Sequence, residues 1–364
     1  MTLAGAPPAS AFELARLLTD VFRVEELQVE EAAIRFRGIL LASPETAVRV
    51  LAARLAPLGY HPLLRSREEI VLLRAAPRAR PWLREPWPNL VLFVATLLTT
   101  LFVGALHQGA NPLQDPRNLL IGLPFAGTLL AILGVHELGH YFTARAYGIR
   151  VTLPYFIPAP IPPPFGLIGT FGAFIRMKSP VTDRRALLDV GIAGPLAGLV
   201  LAIPAVLVGL RLSTVVPPQG AGVGLGSSLL FLALQVVAVG PIPEGLDVLL
   251  HPVAFAGWIG FFVTALNLLP LGQLDGGHIA YALLGRRHRE VAMGTAALLV
   301  GLGIFFWPGW LVWAALAMAM GFQHPPPLDD VTRLDPTRRL LAVGAFVLLV
   351  LLITPAPFFF PEGM

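Results

Sequence analysis

The sequence contains no cysteine and a single lysine, Lys178, among its 364 residues. Without cysteine the chain has no disulfide, no thiolate nucleophile and no cysteine-ligated metal site, so any metal must be held by His, Asp or Glu. Charged residues are scarce as well, at 13% against about 25% in soluble domains. The net charge of +4 comes from arginines that flank apolar runs, which is typical of membrane topology signals and not of nucleic-acid binding.

Hydrophobic residues make up 55% of the chain, and long apolar runs recur from Pro88 onward. They predict a multi-pass α-helical membrane protein. The segment 227–240 is apolar but short, and we expect it to be re-entrant or interfacial. Arginines before residue 88, between 145 and 186, and after 285 predict that these three regions share the cytoplasmic side. The predicted spans are 88–106, 120–144, 187–211, 249–270, 291–307, 309–321 and 338–356.

Residues 1–80 have a mixed, charged composition and predict a small soluble α+β domain, with strands over 34–41 and 69–74 and a helix over 44–58. A regulatory or substrate-filtering role is expected for it. Residues 81–87 are a predicted linker and 357–364 a tail, with the transmembrane domain at 88–356. The charged start of the chain predicts no cleavable signal or transit peptide, which favours a prokaryotic plasma membrane.

The stretch HELGH places three ionisable side chains inside an apolar run. His136 and His140 are one helical turn apart and share a face, and Glu137 lies beside the first imidazole. Buried charges of this kind are costly in a membrane unless they serve an interior site. The spacing predicts a zinc ion held by the two imidazoles, with Glu137 as the general base for a zinc-activated water.

Zinc of this type needs a third protein ligand, and the best candidate is Asp275 in Leu274-Asp275-Gly276-Gly277. The paired glycines are expected to let the backbone bend close to the metal. The alternative for Asp275 is an Asx-type turn at a helix end.

The motifs HELGH, Gly194-Pro195-Leu196 and Asn267-x-x-Pro270 with Leu274-Asp275-Gly276 occur in this order. Together they resemble the site-2 protease family of intramembrane zinc metalloproteases, over about residues 120–285. The gap between 211 and 249 is too short for a PDZ domain, so the resemblance is to the PDZ-lacking branch found in photosynthetic organisms and many bacteria.

The resemblance implies a three-helix zinc protease core and one zinc per chain on His136, His140 and Asp275. It also implies that Glu137 is catalytic and that Asn267 lies near the substrate or the oxyanion, to which its amide can donate. The alternative for Asn267 is a polar contact between packed helices.

Predictions can also be made for four other parts of the sequence. Residues 154–177 contain six prolines and then a β-prone stretch over 171–177, which predicts a strand edge that an unwound substrate joins, or else a plain connector. His278 is predicted either to support the site or to be an ordinary histidine at a helix start. Asp189 is predicted to bond Arg185 or to orient a ligand histidine, and the small residues of 191–198 predict close helix packing.

Alternative functions remain open at this stage. A membrane protease of the prenyl-processing type needs a downstream glutamate motif, and Glu244, Glu290 and Glu362 lie in none. A tethered soluble-type zinc protease is disfavoured because HELGH lies within the apolar run. A non-catalytic metal-binding protein or transporter is the remaining alternative, although it has no need of Glu137. The expected partners are transmembrane protein substrates and the lipid bilayer, without nucleic acid.

Overall fold

The computed structural model describes residues 10–30, 33–74, 86–160, 168–217 and 223–359. Most of the predicted linker 81–87, the prolines at 162–164 and most of the predicted tail 357–364 lie outside the described residues.

The N-terminal unit is an antiparallel sheet of four strands in the order β1-β2-β4-β3, with helices α1 and α2. Its elements are α1 Ala11–Arg16, β1 Phe22–Val29, β2 Ala33–Leu40, α2 Pro44–Leu55, β3 Tyr60–Ser66 and β4 Glu69–Arg74. Ser43 caps α2, where Pro44 fits the first helical position. The strands and helix predicted at 34–41, 69–74 and 44–58 correspond to β2, β4 and α2. Strands β1 and β3 were not predicted.

The rest of the chain is mostly helical. Its helices are α3 Trp87–His107, α4 Leu123–Ala146, α5 Arg184–Arg211, α6 Leu229–Ala238, α7 Pro252–Leu268, α8 Asp275–Leu284, α9 His288–Phe305, α10 Gly309–Met320 and α11 Pro336–Leu352. Its short strands are β5 Tyr155–Pro158, β6 Thr170–Phe174, β7 Thr214–Val216, β8 Gly224–Leu225, β9 Asp247–Leu249 and β10 Phe358–Phe359. They pair as β5 with β6, β7 with β9 and β8 with β10.

Three helical segments of the described chain are long and apolar enough to cross a membrane: Trp87–His107, Pro116–Ala146 and Arg184–Arg211. The second consists of a 3₁₀ turn that leads directly into α4. Helix α6 has 10 residues, which gives a length of about 15 Å, half of a hydrocarbon core of about 30 Å. This agrees with the expectation that 227–240 does not make a full crossing.

The core of the helical part lies between α4, α5, α7 and α8. Gly139 on α4 packs against the backbone of α5, where an added Cβ would lie 2.6 Å from the carbonyl oxygen of Ala193. This close contact brings the HELGH stretch against α5. Helices α9 and α10 form a hairpin on one side, as predicted for 291–321, and α11 packs against α7.

A short segment between α10 and α11, Leu328–Asp330, joins the N-terminal unit to the helices. On one side the Leu64 amide of β3 donates to the Leu328 carbonyl at 2.8 Å, and the Asp330 amide donates to the Leu64 carbonyl at 3.1 Å. On the other side the Leu328 amide donates to the carbonyl of Val181 at 2.9 Å. The segment therefore extends the β3 edge and ties it to the chain just before α5.

Two of the three predicted cytoplasmic regions lie close together at this end of the molecule. The Arg184 guanidinium lies next to Gly285 and donates to Asp330 at 2.9 Å. The two regions thus share one side, and its identity as the cytoplasmic side stays a prediction.

Candidate metal centre

Helix α4 presents His136, Glu137 and His140 to the interior. The exposed fractions of the three side chains are 4%, 6% and 6%. No proline interrupts α4 between Phe125 and Ala146, so the helix is continuous and the one-turn spacing puts both imidazoles on one face. The predicted shared face of the two imidazoles is observed, and their role as metal ligands stays a prediction.

Asp275 reaches the same place from another element. Helix α7 ends at Leu268, a tight turn follows, and Asp275 is the first residue of α8. Gly276 and Gly277 do not adopt the left-handed backbone conformation, so the expected backbone bend at these glycines was wrong. Glycine is needed at both positions because there is no room for a side chain. A Cβ added to Gly276 would lie 2.0 Å from the carbonyl oxygen of Leu268, and a Cβ added to Gly277 would lie 2.4 Å from the carbonyl oxygen of Gly272.

The donor atoms of the two histidines and Asp275 form a triangle. The two Nε2 atoms are 3.1 Å apart, and each lies 3.3 Å from a carboxylate oxygen of Asp275. In a tetrahedral zinc site with bonds of about 2.0–2.1 Å, neighbouring donor atoms lie about 3.3 Å apart. Within the described ranges, no other group of three or more His, Asp or Glu side chains brings its donor atoms this close.

Two further observations fit a cation at the centre of this triangle. Oδ2 of Asp275 is buried and finds no hydrogen-bond donor among the described residues, which is costly for a carboxylate oxygen without a positive partner. Nδ1 of His140 donates to the carbonyl of Val190 at 2.7 Å. In the neutral imidazole this leaves a lone pair on Nε2, the form that binds a metal. The residues present therefore fit zinc.

Helix α5 leaves room for the two imidazoles. A Cβ added to Gly194 would lie 2.1 Å from Nε2 of His140, and one added to Gly198 would lie 3.3 Å from His136. The small residues of 191–198 were predicted to serve helix packing. They also make space for the candidate ligands.

Glu137 and Asn267 border the triangle. An oxygen of Glu137 lies 4.0 Å from Nε2 of His136, and the Asn267 amide nitrogen lies 3.4 Å from the same atom. The backbone amide of Ile175, directly after β6, points toward the Glu137 carboxyl group. The site thus borders the end of a strand.

The β5–β6 hairpin is held beside the site by α3. The side-chain amide of Asn89 donates to the carbonyls of Leu153 and Pro154 at 2.8 and 2.9 Å, just before β5. The Thr99 hydroxyl donates to the carbonyl of Gly169 at 2.7 Å, just before β6. Strand β6, Thr170–Phe174, covers 171–174 of the predicted 171–177 strand, and its Phe171 side chain is 67% exposed.

His278 does not join the triangle. Nδ1 of His324 donates to the Pro325 carbonyl at 2.6 Å, so Nε2 of a neutral His324 accepts from Nδ1 of His278 at 2.5 Å. Burial lowers the pKa of His324 to about 3, and the neighbouring His278 adds to this effect. His278 is therefore a buried histidine in the first turn of α8, and its partner His324 was missed because it lies 46 residues away in sequence.

Asp189 bonds a distant arginine, and the predicted partner Arg185 was wrong. The carboxylate of Asp189 accepts from Nη2 of Arg338 at 2.7 Å and from the hydroxyl of Tyr147. An acidic residue in an apolar helix signals that a partner exists. The sequence has no signal that selects Arg338 among its many arginines.

Comparison with known proteins relates the chain to one family. The model of peptidase family M50 matches residues 124–307, which include HELGH and Asp275. Probable zinc metalloprotease EGY2, chloroplastic, of Arabidopsis thaliana is 31% identical over 361 residues, 94% of this chain and 63% of the relative. Probable zinc metalloprotease EGY1, chloroplastic, of the same species is 33% identical over 294 residues, 73% of this chain and 52% of the relative.

A relative from Oryza sativa subsp. indica, probable zinc metalloprotease EGY3, chloroplastic, is 29% identical over 266 residues, 66% of this chain and 42% of the relative. The chain thus spans about two thirds or less of the length of these relatives. At the level of the family, the comparisons confirm the predicted site-2 protease resemblance, the predicted enzyme class of zinc metalloprotease, and zinc as the cofactor. The chain belongs to peptidase family M50.

Proposed function

We propose that this chain is an intramembrane zinc endopeptidase that hydrolyses peptide bonds within or near transmembrane segments of other proteins. The observation that carries the proposal is the buried triangle of His136, His140 and Asp275 with the Glu137 carboxylate beside it. Its ligands come from helices that are apolar on their outer faces, and α4 and α5 are long enough to cross a membrane.

The proposed ligands are Nε2 of His136, Nε2 of His140 and the carboxylate of Asp275. When bound there, zinc supplies a Lewis acid that lowers the pKa of a coordinated water toward about 7 and polarises a carbonyl oxygen. Glu137 takes the proton of the attacking water and later passes it to the leaving amine. Glu137 suits this role because it is buried next to the ligands and is not itself one of them.

Asn267 is the proposed donor to the oxyanion that forms when the scissile carbonyl is attacked. Its amide is on the last turn of α7, on the same side of the triangle as His136. A donor held in this way before the reaction stabilises developing negative charge more than water does.

The peptide must be extended to be cut, since a helix buries its carbonyls in hydrogen bonds. Strand β6 is proposed to bind it by backbone pairing, because β6 pairs with β5 on one side and ends at Phe174, directly before Ile175, whose backbone amide lies beside Glu137. The two anchors from α3, Asn89 and Thr99, keep the hairpin fixed while a substrate joins it.

A membrane location is supported by the apolar helices and by the family. The predicted prokaryotic plasma membrane has no support from the relatives, whose names call them chloroplastic. We propose a cellular membrane with the arginine-rich end on the cytoplasmic or equivalent side. The partners proposed are transmembrane protein substrates and the surrounding lipid.

The test is cleavage of a model transmembrane substrate in proteoliposomes by the wild type, Glu137→Gln and Asp275→Asn, with zinc content measured in parallel. Glu137→Gln should keep zinc and lose cleavage by at least about 10²–10⁴-fold, because the general base is gone. Asp275→Asn should lose metal and activity together. Mass spectrometry of the fragments should place the cut within or next to the apolar segment.

Glu290→Gln and Asp247→Asn are matched controls, because these exposed carboxylates lie outside the site. They should cleave as the wild type does. If the wild type binds zinc and Glu137→Gln cleaves equally well, Glu137 is not the base. If no variant cleaves although zinc is bound, the chain is a metal-binding protein or transporter and the protease proposal fails.

A further inference from the structure

Arg338, in the first turn of α11, bonds three side chains at the arginine-rich end of the helices. Its Nε and Nη2 donate to Asp189 on α5 at 3.0 and 2.7 Å, its Nη1 donates to Asp335 at 2.7 Å, and Nη2 also donates to the Tyr147 hydroxyl at 3.1 Å. A planar guanidinium that is engaged on both edges fixes its partners in direction as well as in distance. Arg338 thus ties α11 to α5 and to the end of α4.

The contact with Asp189 is better shielded than an ordinary surface ion pair. The side chains of Arg338 and Asp189 are 30% and 23% exposed. Isolated exposed pairs stabilise a protein by about 0–1 kcal/mol, but bidentate geometry within a network is the exception. The network therefore has the geometry needed to hold one turn of α5 in place.

That turn of α5 also bonds one of the proposed ligands. Asp189 is followed directly by Val190, whose carbonyl accepts the proton of His140 Nδ1 at 2.7 Å. One turn further along, Gly194 approaches the same imidazole so closely that even a methyl group would clash. A small rotation or shift of this part of α5 would change both contacts.

We propose that Arg338 is a positioning residue for the metal centre, which acts through Asp189 and the Val190 carbonyl to fix the tautomer and orientation of His140. The inference rests on the proposed role of His140 as a ligand. It extends the metal centre to α11, which lies outside the residues 124–307 matched by the family model. Hydrogen-bond partners of ligand histidines typically change metal affinity 10–100-fold when they are lost.

The experiment measures zinc affinity of the full-length protein in detergent by competition with a chelator. Arg338→Met should weaken zinc binding about 10–100-fold. Arg338→Lys should weaken it less, since lysine keeps the positive charge but lacks the planar set of donors of the guanidinium group. Arg339→Met is the matched control. Arg339 is the next residue and donates to the carbonyl of Leu334, away from the site, so its loss should leave the affinity unchanged.

A cobalt-substituted sample gives a readout that helix packing alone would not change. The visible absorption bands of bound Co²⁺ report the ligand geometry, and they should shift in Arg338→Met and stay constant in Arg339→Met. Tyr147→Phe removes one hydroxyl and should cause a smaller shift in the same direction. Because Tyr147→Phe is a milder change, it can be measured even if Arg338→Met does not fold.

A double-mutant cycle with Asp189→Asn tests the route of the effect. If Arg338 acts through Asp189, the variant that carries both changes should bind zinc no more weakly than whichever of the two single variants has the lower zinc affinity. Fully additive losses, or equal zinc affinity in Arg338→Met and Arg339→Met, would overturn the inference.

His140→Ala separates the two proposals: if it loses zinc while Arg338→Met keeps full affinity, the ligand assignment stands and only the positioning role fails. If His140→Ala binds zinc as the wild type does, both fail.

Discussion

Two buried clusters that contain histidines meet at the first turn of α8, where Asp275 belongs to one and His278 to the other, and they differ in how their donor atoms are used. In the metal centre, Nε2 of His140 carries a free lone pair and Oδ2 of Asp275 has no donor among the described residues. In the second cluster, His278 and His324 bond each other, and His324 bonds the Pro325 carbonyl.

The first cluster has donor atoms that are arranged to bind a cation, whereas the second cluster forms hydrogen bonds within the protein. Polar groups buried in an apolar surrounding need partners. Nδ1 of His278 and both ring nitrogens of His324 find theirs within the protein, whereas the donors of the triangle point at one another and need a positive charge between them. Buried histidines therefore indicate a metal only when their lone pairs converge and stay free.

Replacing one histidine in each cluster should give the largest contrast. His136→Ala removes one of three converging donors and should bind little zinc, whereas His278→Ala should keep about one zinc per chain, as a three-ligand site requires. Metal analysis of both variants after dialysis measures this. Equal loss of zinc in the two would place His278 in the metal centre and break the comparison.

Asn267→Ala distinguishes a role in metal binding from a role in catalysis. We expect cleavage to fall about 10²–10³-fold because a donor to the oxyanion is lost. Zinc content should be unchanged, since the amide is not one of the proposed ligands. The rate constant under single-turnover conditions is the measurement. Asn118→Ala, at the opposite end of the helices, serves as the control. An unchanged rate would assign Asn267 to helix packing.

The second cluster should contribute to stability and not to metal binding. His324→Ala leaves the Nδ1 proton of His278 without its acceptor and should lower the free energy of unfolding by about 1–3 kcal/mol. Unfolding in a detergent titration measures this, and zinc affinity should stay constant. The exposed neighbour Gln323 gives a control, since Gln323→Ala should change stability by less than about 0.5 kcal/mol.

The second cluster should also make the stability of the protein depend on pH. The pKa of His324 is about 3 in the folded protein because of burial, against about 6.5 when it is unfolded. Its neighbours are His278, Tyr281 and His288. The unfolded chain thus binds the proton more readily. Stability should be full above about pH 6.5 and should fall toward pH 3, by at most about 1.4 kcal/mol per pH unit.

His324→Ala should flatten this slope between pH 7 and pH 5, as measured by unfolding at several pH values. Parallel slopes in the wild type and the variant would mean that the pKa of His324 is the same in the folded protein and in the unfolded chain, and the predicted effect of burial would then be wrong.

Local sequence patterns were sufficient for much of the molecule. The one-turn spacing of His136 and His140 follows from helix geometry alone, and the apolar runs predicted the positions of the long helices because hydrophobic length is a local property. Asp275 was found because a polar residue interrupts an apolar run. Strand β3 was missed because Pro62 and the charges around it hide its alternation.

Contacts between distant parts of the chain were not accessible in this way. The choice of Arg338 over Arg185 as the partner of Asp189 depends on where α11 packs, and periodicity has no information on that. The same is true of the pairing of His278 with His324. The division into domains and the ligand roles of individual residues stay predictions.

The pairing of Leu328–Asp330 with the edge of β3 has a consequence for biosynthesis. At about 5–20 residues per second, the ribosome finishes β3 roughly ten seconds to a minute before Leu328 is made. During that interval the N-terminal unit has an unpaired strand edge and lacks the Leu328 and Val331 side chains of its core. Such an edge is a site for wrong pairing with another nascent chain. The β3 edge is therefore covered only after the segment between α10 and α11 has been synthesised.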